Sequence, residues 1–215
     1  MEKILFITVD TNPEDKSVSR TIGRELVNKL LDKDSKYKFE ELDLYTSNIP
    51  EMNSLFVNED AALVTGDDYD KLSDKYKKEV DRIDELSNQF LSCDIYVISS
   101  PMWSLSFPSR LKQYIDCIVL GNKFLAFPND KNKPVPLLDD KERAMIYIQA
   151  SGGDFPFWME HKVNYGVDYC HDLFKGLGIK KFEKILIEGT IQYKDDKNKY
   201  LDKAYKDIDK AIKKL

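Results

Sequence analysis

The 215-residue sequence has no apolar run near the roughly 18 residues that a membrane-spanning helix requires. Its first residues enter a strand pattern directly, with no signal-peptide segment or cleavage site, so we expect a soluble cytoplasmic protein without a membrane partner. A single-sign charge patch is also missing. The 33 basic and 38 acidic residues are interspersed and give a net charge of -5, which argues against nucleic acid as a partner.

Cysteine and histidine are scarce, with three and two residues. Cys93, Cys117 and Cys170 are far apart, form no Cys-x-x-Cys pair and lie at no ligand spacing from a histidine, so no metal site is predicted. Cys93 and Cys117 fall in apolar-periodic segments, where burial raises the pKa of a thiol. We therefore expect reduced, packed thiols and no cysteine nucleophile.

Several nucleotide-binding and catalytic motifs are absent. No Gly-x-Gly-x-x-Gly opens a helix after a strand, and no Gly-x-x-x-x-Gly-Lys-Ser/Thr supports a P-loop. Neither a Gly-x-Ser-x-Gly elbow nor a His-Glu-x-x-His pair occurs. We therefore expect a nicotinamide nucleotide to bind this protein transiently, as a substrate, and not as a permanently bound cofactor.

Strand and helix patterns alternate along the chain, and no low-complexity linker divides it, so we expect one domain over residues 1–215. The predicted strands are Lys3–Val9, Tyr37–Leu44, Asp94–Ser99, Arg143–Ile148 and Lys184–Glu188. The predicted helices are Ser17–Leu31, Asp70–Leu91, Phe107–Leu120, Trp158–Leu177 and Asp195–Leu215. Segments 45–70 and 121–140 show no clear period, and such long excursions can cover a substrate; we expect short helical pieces in the first.

Nearly continuous apolar strands such as Ile4–Val9, joined by crossover helices, favour an α/β fold. We predict a doubly wound, five-stranded parallel sheet of flavodoxin-like order 2-1-3-4-5, with helices on both faces. In such a sheet the ligand lies outside the carboxyl ends of strands one and three. These ends lead into Asp10–Ser19 and Ser99–Phe107.

The first candidate loop ends at Ser17-Val18-Ser19, where a helix begins. Hydroxyls and free backbone N–H groups can face one small anion there, aided by the helix dipole, and a flavin phosphate would suit. The alternative is that Ser17 is simply an N-cap.

The second loop follows the third strand as Pro101-Met102-Trp103-Ser104. Proline stiffens the turn, while Met102 and Trp103 offer flat, polarisable surface to a ring system, with backbone groups along its edge. The alternative is a surface loop with a Trp anchored in the core.

The third loop, Gln149-Ala150-Ser151-Gly152-Gly153, follows the fourth strand. Paired glycines allow close backbone approach and positive φ, although a plain turn has the same pattern.

These loops, in this order, resemble the FMN-dependent NADH-azoreductase family over essentially the whole chain. The most specific part is Pro101–Asp116, which includes Pro-Met-Trp-Ser-Leu-Ser-Phe-Pro and Leu-Lys-Gln-Tyr-Ile-Asp. The Gly-Gly loop, Glu188-Gly189 and the first loop add to the resemblance.

The resemblance implies a flavodoxin-like homodimer with one FMN per subunit and active sites at the dimer interface. It implies reduction of quinones and azo compounds with electrons from NADH or NADPH. By position, Ser17 and Ser19 would hold the phosphate. The isoalloxazine would lie on Pro101, Met102, Trp103 and Ser104, and its polar edge on Gln149, Ala150, Ser151, Gly152 and Gly153.

The chain departs from the family pattern in two places. The family commonly has Asn where Ser104 stands, and Phe124–Phe127 matches a Phe-x-Tyr-like stretch of the substrate pocket but lacks its hydroxyl. Aromatic side chains are the candidates for the acceptor pocket, with dimer or core packing as the alternative. They are Phe107, Phe124, Phe127 and Phe155.

Flavin accepts a hydride and passes on two electrons, so no catalytic side-chain acid or base is predicted, and donor and acceptor use one ring face in ping-pong order. One alternative is a flavodoxin-type electron carrier without NAD(P)H activity. Another is a regulatory homodimer without flavin. The two long segments favour the enzyme over the carrier.

Overall fold

The computed structural model describes residues 2–34, 36–128 and 133–215. Its main sheet has five strands, all parallel, in the order β2-β1-β3-β6-β7. Since β4 and β5 lie outside this sheet, the order equals 2-1-3-4-5 and the predicted flavodoxin-like sheet is confirmed. The strands are β1 Lys3–Thr8, β2 Lys38–Asp43, β3 Ile95–Pro101, β6 Ala144–Ala150 and β7 Lys181–Ile187.

Helices cover both faces of this sheet, as predicted. They are α1 Val18–Lys33, α2 Gly66–Asp70, α3 Asp74–Ser92, α4 Ser109–Ile118, α5 Glu160–Val163, α6 Tyr165–Gly176 and α7 Asn198–Ile212. One hydrophobic core joins α1 and α7 to Ile4, Phe6 and Val97 of the sheet. The other core joins α3, α4 and α6 to the opposite face. Alternate residues of each central strand therefore point into different cores.

The sheet register brings three strand ends to one edge. Thr8 is paired with both Asp43 and Ser99, and Pro101 is paired with Ala150. Because the strands are parallel, the segments after β1, β3 and β6 all leave the sheet at this carboxyl edge. This edge is the predicted position of the ligand site.

Two helix predictions needed correction. The predicted helix Asp70–Leu91 begins at Asp74, because Ser73 accepts a hydrogen bond from the Tyr76 backbone N–H and caps a new helix there. The predicted helix Trp158–Leu177 is interrupted at Asn164, whose backbone is not helical. The buried Asn164 Oδ1 accepts a 2.7 Å hydrogen bond from Gln149 Nε2, which ties the break to the end of β6.

The two long segments contain small elements that contact each other. Segment 45–70 holds a 3-10 turn at Ser54–Phe56 and the short helix α2, as expected. Segment 121–140 holds an antiparallel pair, β4 Leu125–Ala126 and β5 Val135–Pro136, which was not predicted because two-residue strands carry no readable period. The Gly121 backbone N–H donates to the Ala61 carbonyl at 2.9 Å, so the segments are joined.

Within residues 2–34, 36–128 and 133–215, no helix has the length and apolar content needed to cross a membrane. The same residues contain no group of three or more His, Cys, Asp or Glu side chains arranged to hold a metal ion.

All three cysteines are free and buried. Burial raises the pKa of Cys117 to about 12 and raises those of Cys93 and Cys170 as well. A raised pKa lowers the fraction of the reactive thiolate at a given pH. We therefore expect a disulfide reagent at pH 8 to modify no thiol rapidly in the native protein and three in denaturant. Rapid modification of one native thiol would show that this cysteine is accessible and ionised.

Candidate functional site

The segments at the carboxyl edge of the sheet are hydrogen-bonded to one another. The Val9 backbone N–H donates to the Ser99 carbonyl at 2.9 Å, and the Met102 N–H donates to the Ala150 carbonyl at 2.7 Å. The three candidate loops therefore meet in one place, as predicted. We refer to them as the β1–α1, β3–α4 and β6–α5 loops.

In the β1–α1 loop, Ser17 is the N-cap of α1. Its Oγ accepts a 3.3 Å hydrogen bond from the Arg20 backbone N–H and donates a 2.6 Å bond to Asp10 Oδ2. The N-cap alternative is therefore correct for Ser17. It does not exclude a role in anion binding, because the first N–H groups of a helix have no acceptor within it.

The space in front of α1 has further polar groups available. The buried Ser19 lies one residue inside the helix, with its Oγ 3.4 Å from that of Ser17. Below α1, the hydroxyls of Thr8 and Ser99 are buried without a hydrogen-bond partner among the described residues. An anion at this helix terminus would meet backbone N–H groups, hydroxyls and the positive end of the helix dipole.

The β3–α4 loop is a tight two-residue turn. Trp103 and Ser106 exchange two backbone hydrogen bonds of 2.9 Å, and both residues between them, Ser104 and Leu105, have positive φ. The N–H groups of Met102 and Trp103 are therefore used within the protein. What the loop presents outward is side-chain surface, because Trp103 is 45% exposed.

The turn holds Ser104 at a φ of 50°, where Asn and Gly are favoured over other residues. We expect Ser104→Asn to relax the backbone and raise the free energy of unfolding by about 0.5 kcal/mol. Urea denaturation of the two proteins without flavin measures this difference. An unchanged or lowered midpoint would mean that the turn is not strained at this residue.

The β6–α5 loop is held by a second loop, 188–193, that follows β7. Gly189 N–H donates to the Gly153 carbonyl, and Ile191 and Gln192 N–H donate to the Gly152 carbonyl, at 2.9 to 3.1 Å. Tyr193 hydroxyl donates to Asp154 Oδ2 at 2.8 Å. The carbonyls of both glycines thus point into the protein, and their N–H groups are free of this contact.

Gly152 and Gly153 do not use the positive φ that glycine allows, and the glycine of these loops that has it is Gly189. Close approach is the reason for glycine at both positions. A Cβ on Gly152 would lie 2.7 Å from the Ile191 side chain, and one on Gly153 would lie 3.2 Å from the Phe155 ring.

Gln149 does not reach the loop surface, contrary to the prediction that it lines a ring edge. It is buried, and its amide bonds Asn164, while Gln149 Oε1 and Asn164 Nδ2 have no partner among the described residues. Ser151 is also buried, with its Oγ donating to the Gly153 carbonyl at 2.9 Å. The side chains of Gln149 and Ser151 thus support the β6–α5 loop through buried hydrogen bonds on its inner side.

The four predicted pocket aromatics are not equivalent. Phe124 is fully buried and packs against Phe90 with ring centroids 5.5 Å apart, so it is a core residue and does not line an open pocket. Phe107 is half-buried against Tyr169 of α6, and Phe155 is half-buried beside Gly153. Phe127 is 49% exposed just after β4.

Sequence reasoning missed three residues that organise these loops. They are Asp10, Asn164 and Tyr193, each joined to a loop residue by the hydrogen bonds given above. An Asp two residues before an Asn-Pro turn signals local capping. Nothing in the sequence signals the other two contacts, which depend on the fold.

These residues fit FMN. The terminus of α1 supplies neutral donors for a phosphate, and the Gly152 and Gly153 N–H groups are donors for the polar edge of a ring. Trp103 and the half-buried Met102 supply flat apolar surface. Ser17, whose proton is already donated to Asp10, fits less well than predicted.

The fold and the site define a flavodoxin-like α/β protein with a ligand site at the carboxyl edge of its sheet. A family model described as flavodoxin-like fold matches residues 2–212. The chain is 46% identical over 215 residues to FMN-dependent NADH:quinone oxidoreductase 1 of Clostridium acetobutylicum, covering 100% of this chain and 96% of that protein. It is 43% identical over 212 residues to an FMN-dependent NADH:quinone oxidoreductase of Clostridium botulinum, covering 99% and 98% of the two chains.

A similar solved structure is an FMN-dependent NADH-azoreductase of Bacillus anthracis in complex with FMN. It is 27% identical, has a TM-score of 0.83, and the match covers 98% of this chain and 97% of that one. The chain therefore belongs to the family of FMN-dependent NADH:quinone oxidoreductases and azoreductases.

Proposed function

We propose that this protein is an FMN-dependent NAD(P)H oxidoreductase that reduces quinones and aromatic azo compounds. The observation that carries the proposal is the meeting of three loops at the carboxyl edge of β1, β3 and β6. When bound, FMN accepts a hydride from NADH or NADPH and passes two electrons to the acceptor. The three free thiols fit a reducing compartment, so we place the enzyme in the cytoplasm.

The residues of the chain have positioning roles in this reaction. The α1 terminus with Ser19 would hold the phosphate of FMN, and Met102 and Trp103 of the β3–α4 loop would contact its ring. The N–H groups of Gly152 and Gly153 would stabilise negative charge at the polar edge of the ring, because preorganised donors favour the reduced form. Phe107 and Phe155, which are half-buried beside the loops, would contact an acceptor.

The two long segments favour an enzyme over a flavodoxin-type electron carrier. Their described residues form a 3-10 turn, a short helix and an antiparallel pair of two-residue strands. The Gly121 N–H donates to the Ala61 carbonyl and so joins the two segments. Additional elements of this kind are suited to enclosing a small acceptor, whereas a carrier needs an open flavin edge.

We further propose a homodimer in which the partner covers the site. Large apolar side chains are exposed around the β3–α4 loop and the start of α6, namely Trp103 at 45%, Leu105 at 39%, Tyr165 at 54% and Tyr169 at 38%. Gly166 of α6 packs closely on the backbone of Phe107, because a Cβ there would lie only 3.1 Å from the Phe107 nitrogen. This contact brings the start of α6 against the β3–α4 loop, so the four exposed side chains lie in one region. An apolar surface of this kind is typical of an interface.

The test is the visible spectrum of the purified protein supplied with FMN, followed by anaerobic addition of NADH. We expect a yellow band that NADH bleaches and that a quinone or azo dye restores. Steady-state kinetics should give parallel lines in double-reciprocal plots, since donor and acceptor use one ring face in turn. A flavin band unchanged by NADH would favour the carrier, and no flavin binding would refute the proposed function.

A further inference from the structure

Asp10 places a buried carboxylate in the β1–α1 loop, with 7% of its surface exposed. Its Oδ1 accepts hydrogen bonds from the backbone N–H and the side-chain amide of Asn12, at 2.9 and 3.0 Å. Its Oδ2 accepts from Ser17 Oγ at 2.6 Å. One oxygen of this carboxylate is therefore bonded to the residue that caps α1, where the phosphate is proposed to bind.

Among the residues whose side chains the structure describes, none forms a salt bridge with the Asp10 carboxylate, and the arginines of this region are paired elsewhere. The two arginines of α1, Arg20 and Arg24, are both paired with Glu14 and with carboxylates of β2. The negative charge of Asp10 is consequently held by hydrogen bonds alone. A phosphate at the start of α1 would experience this charge.

The contact with Asp10 also fixes the direction of the Ser17 hydroxyl. A serine hydroxyl has one proton, and an ionised carboxylate can only accept. The Ser17 proton is therefore donated to Asp10, and the remaining lone pairs of Oγ, one of which accepts from Arg20 N–H, repel a phosphate oxygen. Ser17 cannot donate to a phosphate while this bond persists.

We propose that Asp10 is the residue that limits the affinity of this loop for the phosphate of FMN. It acts by charge repulsion and by withholding the Ser17 proton. The inference rests on the proposed function and adds a specificity determinant to the same site. It follows that removing the Asp10 carboxylate should increase the preference of the protein for FMN over riboflavin, which lacks the phosphate.

An asparagine at this position tests both effects. In Asp10→Asn, the amide oxygen still accepts from Asn12, while the amide nitrogen can donate to Ser17 Oγ and release the hydroxyl proton toward the phosphate. We expect flavin fluorescence titrations of the flavin-free, full-length protein to show FMN binding about tenfold tighter or more in this variant. Riboflavin affinity should change by less than about twofold, because no phosphate is present.

Glu14→Gln is the matched control. It removes the same charge from the same loop, but from a carboxylate already paired with two arginines, so we expect little change in FMN affinity. Thermal melts of both flavin-free variants establish that the fold is kept.

The possible outcomes separate this inference from the function on which it rests. It is overturned if Asp10→Asn weakens FMN binding, changes FMN and riboflavin affinity by one common factor, or has no effect beyond that of Glu14→Gln. If neither the wild-type protein nor Asp10→Asn bound FMN or riboflavin, the proposed function would be refuted, and this inference with it. FMN binding that is tighter in Asp10→Asn and unchanged in Glu14→Gln supports both the inference about Asp10 and the proposed function.

Discussion

Replacing Tyr165 by arginine should convert the proposed homodimer into a monomer with less than about a tenth of the quinone reductase activity. Tyr165 opens α6 and is 54% exposed beside the β3–α4 loop. In a two-fold interface the substitution places two unpaired charges in an apolar contact, at about 2 to 5 kcal/mol each. The dimer dissociation constant should rise about a thousandfold or more, as measured by analytical ultracentrifugation.

Tyr205→Arg is the matched control for this prediction. Tyr205 lies on α7, which covers the opposite face of the sheet, and is 38% exposed. We expect this variant to keep the wild-type assembly state and activity. A fully dimeric and active Tyr165→Arg protein would show that the α6 surface is not the interface.

The order of the sheet was predictable because its signal is local and repeated. β1 and β3 are continuous apolar segments, and each is followed by an amphipathic helix, so the chain determines a parallel sheet with helices on both faces. The position of the ligand site then follows from the topology alone. Ser17 was also predictable as a residue at a helix start, since serine is a preferred N-cap.

The details of the site depended on contacts that no local pattern encodes. Gln149 and Asn164 are 15 residues apart, and their hydrogen bond forms because α6 packs across the end of β6. That bond buries an amide that was expected to contact the ring. Phe124 was expected in the acceptor pocket but lies in the core. The sequence does not distinguish an aromatic loop residue that packs in the core from one that lines a pocket.

The number of hydrogen-bond donors at the phosphate site also depended on a contact that the sequence does not reveal. The sequence shows two serines at a helix terminus, which predicts two donors. The structure shows that one of these hydroxyls, that of Ser17, donates its hydrogen bond to Asp10. Residue type alone therefore overstates the number of donors available to an anion, and the hydrogen-bond partner of each hydroxyl decides the chemistry.

Gly23→Ala should weaken FMN binding by about tenfold or more and lower the free energy of unfolding by about 2 kcal/mol. A Cβ on Gly23 would lie 2.7 Å from Phe6 Cε2 and 3.2 Å from Ser99 Cβ. The Phe6 ring is fully buried and cannot move aside, so α1 must shift away from β1 and β3. The shift displaces Ser19 and the start of α1, which are one turn away. Urea denaturation and FMN titration measure the two effects.

Two further variants make this prediction sharp. Gly23→Ala with Phe6→Leu removes the ring that meets the new methyl group, so the double variant should recover part of the FMN affinity in a double-mutant cycle. Gly176→Ala is the control, because a Cβ there meets no atom within 4 Å, and it should leave FMN binding unchanged while stabilising α6 by about 0.5 to 1 kcal/mol. If Gly23→Ala were stabilising like Gly176→Ala, close packing of α1 on the sheet would not be what positions the phosphate site.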